Sequence, residues 1–191
     1  MTRWEPNALG RLQRAALELY SERGYDQTTV AEIAKRAGLT ERTFFRYFAD
    51  KREVLFYGSG LLQERLVQGI DDAAPALSPI DAVGAALEAA AGPIEEIRDF
   101  SLRRQAIIAA NPELQERELI KLAALAAAVA DALRRRDVPD PAASLAAEAG
   151  LAVFKIAFQR WVGGEGDSGK QTLAQLIRQS LAELKSVTTG S

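Results

Sequence analysis

The sequence predicts an all-α protein of two domains, and three observations carry that prediction. Ala, Leu, Arg, Glu and Gln fill long intervals, and no β-branched alternating run of strand type occurs in the 191 residues. The seven prolines, at 6, 75, 79, 93, 112, 139 and 141, stand where a helix would begin or a connection would run. Ser78-Pro79, Asn111-Pro112 and Asp140-Pro141 each place a capping side chain before a proline suited to a first helical turn.

The expected helices run over 7–23, 29–36, 40–47, 51–71, 79–91, 93–109, 112–136, 141–163 and 169–186. Leu9, Leu12, Ala16 and Leu19 give the first one an apolar stripe, and Leu173, Leu176, Ile177, Leu181 and Leu184 do so for the last. Both stripes read as core. Thr29 and Glu32 form a capping box, and the short helix that follows meets Gly38, which suits a turn, before a new cap at Thr40. Glu41 to Phe48 makes a second short helix; core packing is the expected role of Phe44, Phe45 and Phe48, and helical spacing lets one or two of them lock the helix against Leu12, Leu19, Ile33 and Leu55. Asp50 and Glu53 are placed as another capping box, opening a third helix. Two short helices about a glycine turn, followed by a long helix, is helix-turn-helix spacing. Asp71 to Pro75 is the expected linker to an alanine-rich bundle.

With no Cys and no His, the chain offers no disulfide, thiolate nucleophile, Cys-based zinc site, Ser/His/Asp triad or imidazole ligand. The carboxylate pairs Glu95-Glu96 and Glu116-Glu118 do not converge on one atom, since neighbouring helical residues point about 100° apart. An enzyme is not expected, nor a metal or cofactor. Neither a signal peptide nor a membrane span is expected, because Met1 to Gly10 lacks a following apolar run and Leu122 to Ala130 is far short of ~20 residues. The expected location is the cytoplasm.

The net charge of -2 hides an asymmetry. Residues 1–52 carry ten Lys/Arg against seven Asp/Glu, net +3, while the remainder carries 14 against 19, net -5. An anionic partner is therefore expected at the amino end. An α-helix fits the major groove, where Arg42 can pair with guanine and Thr43 can use its hydroxyl or methyl on thymine. Thr29 and Lys51 sit at helix amino ends that favour a phosphate, and Tyr47 can donate its phenol to a backbone oxygen. Thr29 and Thr40 serve equally well as caps alone.

The run TTVAEIAKRAGLTERTFFRYFADKREVLF, Thr28 to Phe56, resembles the helix-turn-helix of the TetR (tetracycline repressor) family of transcription regulators. The likeness extends back through Ala15, Leu19, Gly24 and Tyr25. It implies a DNA-binding domain over 1–55 with its motif at about 29–48, and a regulatory, ligand-binding and dimerising domain over 56–191. DNA contacts are implied at Thr29, Thr40, Arg42, Thr43, Arg46, Tyr47 and Lys51. The chain has Phe45 where the family often has Tyr, so a hydroxyl contact to phosphate is missing there. Glu41 and Arg42 also depart from a usual Lys and small residue, which makes Arg42 a candidate for this chain's own specificity.

The resemblance further implies a homodimer through 141–163 and 169–186, with Leu145, Ala149, Ala152 and Ile156 supplying apolar surface alongside the Leu173 to Leu184 stripe. Trp161 reads either as an interface anchor or as core cover. A double-stranded, palindromic operator and release by a small, largely apolar effector follow from the same likeness, with Arg98, Phe100, Arg103 and Gln105 as pocket candidates. The alternative is a helical interaction module without DNA binding.

Overall fold

The computed structural model describes residues 7–164 and 171–189. Among them, ten helical segments and no strand are present: α1 (Ala8–Arg23), α2 (Val30–Arg36), α3 (Glu41–Tyr47), α4 (Glu53–Phe56), α5 (Gly58–Asp71), α6 (Pro79–Glu95), α7 (Arg98–Ala109), α8 (Pro112–Arg135), α9 (Asp140–Gly163) and α10 (Leu173–Thr189). The expected start of the last helix at Gly169, Pro6, and most of Met1 to Gly10 lie outside the described residues.

Local signals set most boundaries. Asn7 caps α1 by accepting from the Gly10 amide at 2.8 Å, and Gly24 ends it with a φ of 87°. Thr29 and Glu32 close the capping box of α2 in both directions. Gly38 turns the chain with φ of 65°, and Thr40 accepts from the Thr43 amide to start α3. The helix expected over 51–71 is present as α4 and α5, parted at Tyr57, which keeps right-handed helical torsions.

Helices begin within a residue of all three proline-marked starts, but the expected side-chain cap forms at one of them. Ser78 accepts from the Asp81 amide and opens α6. Asn111 instead turns its amide back to the Ile107 carbonyl at 2.6 Å. Asp140 lies inside α9, whose cap is Pro139, and makes no side-chain cap bond. Pro93 does not begin a helix. It sits in the last turn of α6, tolerated because the helix stops at Glu95 and little backbone bonding remains to lose.

The chain divides into two compact units. One comprises residues up to Gly58 together with Asp99–Glu118, and the other Ser59–Arg98 with residues from Leu119 onward. The first unit thus reaches past the expected 1–55 and recruits most of α7 and the start of α8. The segment 71–75 is no boundary. It lies within the second unit, where Arg136 donates to the carbonyls of Ile70, Ala73 and Ala74.

The first unit closes on Leu12, Leu19, Ile33, Phe44, Phe48 and Leu55, joined by Ile107, Ile108 and Leu114. The second packs α6, α9 and α10 around Val83, Leu87, Leu151, Trp161, Leu173, Leu176 and Ile177. Gly150 lets α9 approach α6 so closely that a Cβ there would collide with Val83 Cγ1. The α9 helix is 24 residues long with a mean hydropathy of 1.4 in its most apolar window, enough by length and composition to cross a membrane, yet part of that surface is spent in this core.

Candidate nucleic-acid interface

The first unit builds its exposed face from α3. Phe44 is fully buried and Phe48 is 3% exposed, which anchors one side of the helix to α1 and α2. At about 100° per residue the opposite side then carries Arg42 and Arg46. Both are exposed, and among the described residues Arg42 takes no hydrogen-bond or ion-pair partner. Phe45, expected in the core, is 54% exposed instead. Consecutive helical residues cannot share one buried face, and Phe44 holds that place.

Thr29, Thr40, Thr43, Arg46 and Tyr47 all lie on the surface of this unit or half-buried at it. The two cap hydroxyls are already engaged. Thr29 Oγ1 accepts from the Glu32 amide and donates to the Glu32 carboxylate at 2.9 Å, while Thr40 Oγ1 meets Thr43 Oγ1 at 3.1 Å. Hydrogen bonds from the Thr29 amide, more than the neighbouring Arg23, hold the Glu32 carboxyl below its ordinary value. Arg46 donates to the Tyr47 phenol oxygen at 3.3 Å and lies 5.0 Å from its ring centre. This pair is presented together.

Lys51 is placed differently from its expected phosphate contact. Its ammonium donates to the carbonyls of Tyr25, Asp26 and Thr28 at 2.8, 3.4 and 3.1 Å, and it stands over the Tyr25 ring. Tyr20 in turn donates to the Lys51 carbonyl at 2.7 Å, its phenol pushed above the ordinary value by burial. Three amine hydrogens on three carbonyls leave the side chain positioning the α1–α2 connection. Asp50 accepts from the Arg52 and Glu53 amides, whereas the Glu53 carboxylate pairs with Arg117 at 2.6 Å.

A groove of about 380 Å³ on the same unit is lined by Arg11, Arg14, Glu18, Lys35, Arg36 and Gly38. Arg36 pairs with Glu22 and Glu18, and Arg11 donates to the Ala37 carbonyl. Sequence reasoning missed Arg104. Only 20% exposed, its side chain donates to the Leu55 carbonyl at 2.6 Å and to Glu118 at 3.1 Å, and burial pulls its guanidinium below the usual arginine value. No local signal marks it, because its partners lie 49 and 14 residues away.

The four pocket candidates are divided between the two units. Arg98, in the second unit, donates to the Trp161 carbonyl at 3.1 Å and covers its ring, and Trp161 is 3% exposed, a core residue. Phe100 packs against the core of the first unit, where Arg103 is exposed and Gln105 half-buried. In α10, Leu173, Leu176, Ile177 and Leu181 are buried in their own unit and offer no free face, while Leu145 and Ile156 of α9 are 71% and 48% exposed.

A capped pair of short helices about a glycine turn, with arginines on the outward face of the second, defines a helix-turn-helix transcription regulator. The chain belongs to the TetR family. The family model described as bacterial regulatory proteins of the tetR family matches residues 12–57, and that of the MftR C-terminal domain matches 77–189. The transcriptional regulator TcmR of Streptomyces glaucescens is 34% identical over 86 residues, which is 45% of this chain but only 38% of that regulator. A Mycobacterium tuberculosis protein named as a mycofactocin biosynthesis transcriptional regulator, MftR, is 27% identical over 83% of this chain and 81% of its own length. Among solved structures, the Thermus thermophilus FadR repressor with lauroyl-CoA aligns with a TM-score of 0.55 at 25% identity, covering 92% of each chain. A FadR from Bacillus halodurans aligns with a TM-score of 0.61 at 18% identity over 92% of this chain and 96% of its own.

Proposed function

We propose that this chain is a cytoplasmic repressor that binds a palindromic DNA operator as a homodimer and is released by a small, largely apolar effector. The observation that carries the DNA-binding reading is the outward face of α3, where Arg42 is exposed, without a partner among the described residues, beside the Arg46 and Tyr47 pair. Arg42 reads a guanine edge, and Arg46, Tyr47 and the capped amino ends at Thr29 and Thr40 meet phosphates. Thr43, bonded to Thr40, presents its methyl to a base. Lys51 acts by holding the head together.

The dimer reading rests on α9. A helix apolar on most of its surface leaves Leu145, Ala152 and Ile156 uncovered, with spacings that place them along one stripe. A second copy covers that stripe in a four-helix arrangement, with α10 contributing its polar outer face. The effector reading takes support from the Thermus relative, whose structure holds lauroyl-CoA. A long-chain acyl thioester is accordingly the first effector class to test.

Selection of bound DNA from a random pool with the full chain tests the reading. Enrichment of a two-fold symmetric sequence is expected, with binding that weakens steeply as salt rises. Replacing Arg42 and Tyr47 together by Ala abolishes enrichment with the fold retained. Failure of the wild-type chain to enrich any sequence overturns the proposal, and Leu145→Asp with Ile156→Asp producing no monomer in sedimentation overturns the dimer interface.

A further inference from the structure

We propose that Phe45 is a specificity residue that reads the C5-methyl group of one thymine in each operator half-site; this rests on the DNA-binding reading above. Phe45 is 54% exposed although Phe44 in the same helix and Phe48, which ends it, are buried. Its ring stands edge-on to Phe44, with centroids 5.5 Å apart and planes at 83°, so the exposed ring is held in a defined orientation. It has no hydroxyl to give a phosphate. Its chemistry is apolar contact alone.

On the edges that base pairs present in the major groove, the apolar group is the thymine methyl. At about 100° per residue, Phe45 lies some 60° around the helix from Arg42, three positions earlier, and on the flank shared with Glu41. Arg42 and Phe45 therefore address neighbouring base pairs, one through guanine acceptors and the other through a methyl group. Glu41 on that flank disfavours a phosphate, which keeps the ring over base edges rather than backbone.

The test uses the operator selected by the wild-type chain, with each thymine replaced in turn by deoxyuridine, which lacks only the methyl. One position per half-site is expected to weaken binding about fourfold, the worth of one methyl removed from water. Phe45→Ala binds the thymine and uracil forms equally, while Phe45→Tyr keeps the difference. As a second measurement, 5-iodouracil at that position is irradiated in the wild-type complex, and the crosslink is expected on Phe45. A uracil penalty that survives unchanged in Phe45→Ala, no penalty at any thymine, or a crosslink to another residue overturns the inference. An operator that is bound without a methyl-dependent thymine defeats only this inference. A wild-type chain that selects no DNA defeats the DNA-binding reading with it.

Discussion

Lys51 and Tyr25 meet twice: the lysine ammonium donates to the tyrosine carbonyl at 2.8 Å and stands 4.2 Å from the centre of its ring. Tyr25 is 3% exposed and packs edge-on against Tyr20, whose phenol returns a hydrogen bond to the Lys51 carbonyl. The three residues tie α1, the α1–α2 connection and the entry to α4 into one structure. The lysine is thereby a brace for the face that α3 presents.

Lys51→Met is expected to destabilise the first unit by about 1–3 kcal/mol, since carbonyls of Tyr25 and Thr28 lose a donor. The slope of log affinity for operator against log salt should stay unchanged, because no phosphate contact is removed. Denaturant unfolding and a salt titration check this. A slope smaller by about one would return Lys51 to the phosphate.

The Glu32 carboxylate gives the head an acid limit. Its folded pKa is depressed, so the stability it contributes is present above the ordinary glutamate value of about 4.3 and is lost as pH falls through the folded value. Glu32→Gln is expected to be less stable than wild type at neutral pH, with the difference narrowing below pH 4. Thr29→Ala, which removes the cap hydroxyl, costs about 1 kcal/mol at neutral pH and less below pH 4, where the Glu32 carboxylate that the hydroxyl donates to is protonated. Thermal melts from pH 7 to pH 3 measure both.

Arg104→Met is expected to cost about 1–3 kcal/mol by leaving the Leu55 carbonyl without its donor. Arg104→Lys should not restore it, because an ammonium cannot reach Leu55 and Glu118 with the fixed fork of a guanidinium. Amide exchange in α4 and the first turns of α8 should rise in both variants. Exchange unaltered in those segments would remove Arg104 from its bracing role.

Gly150→Ala is expected to destabilise the second unit by about 1–3 kcal/mol, since the new methyl meets Val83 Cγ1 and the crossing of α6 and α9 must open. Gly150→Ala combined with Val83→Ala should recover part of the loss. A double-mutant cycle in denaturant supplies the coupling, and strict additivity would count against the close approach.

The first three helices were legible in the sequence to within a residue, as were the start of α6 and the reach of α8. Their signals are short-range: a Thr hydroxyl and an amide three residues on, or a glycine that alone adopts positive φ at Gly38 without strain. Such interactions form within one turn of chain, so the residue order specifies them.

Tertiary structure decided where the long side chains went. Lys51 reaches carbonyls 23 to 26 residues away, Arg104 one 49 residues away, and Arg98 caps Trp161 across 63. The recruitment of α7 by the first unit and the exposure of Phe45 beside a buried Phe44 have the same origin. A flexible cation or an apolar ring carries several possible partners in its own chemistry. Which one it takes depends on what packing brings within reach, and local spacing does not encode that.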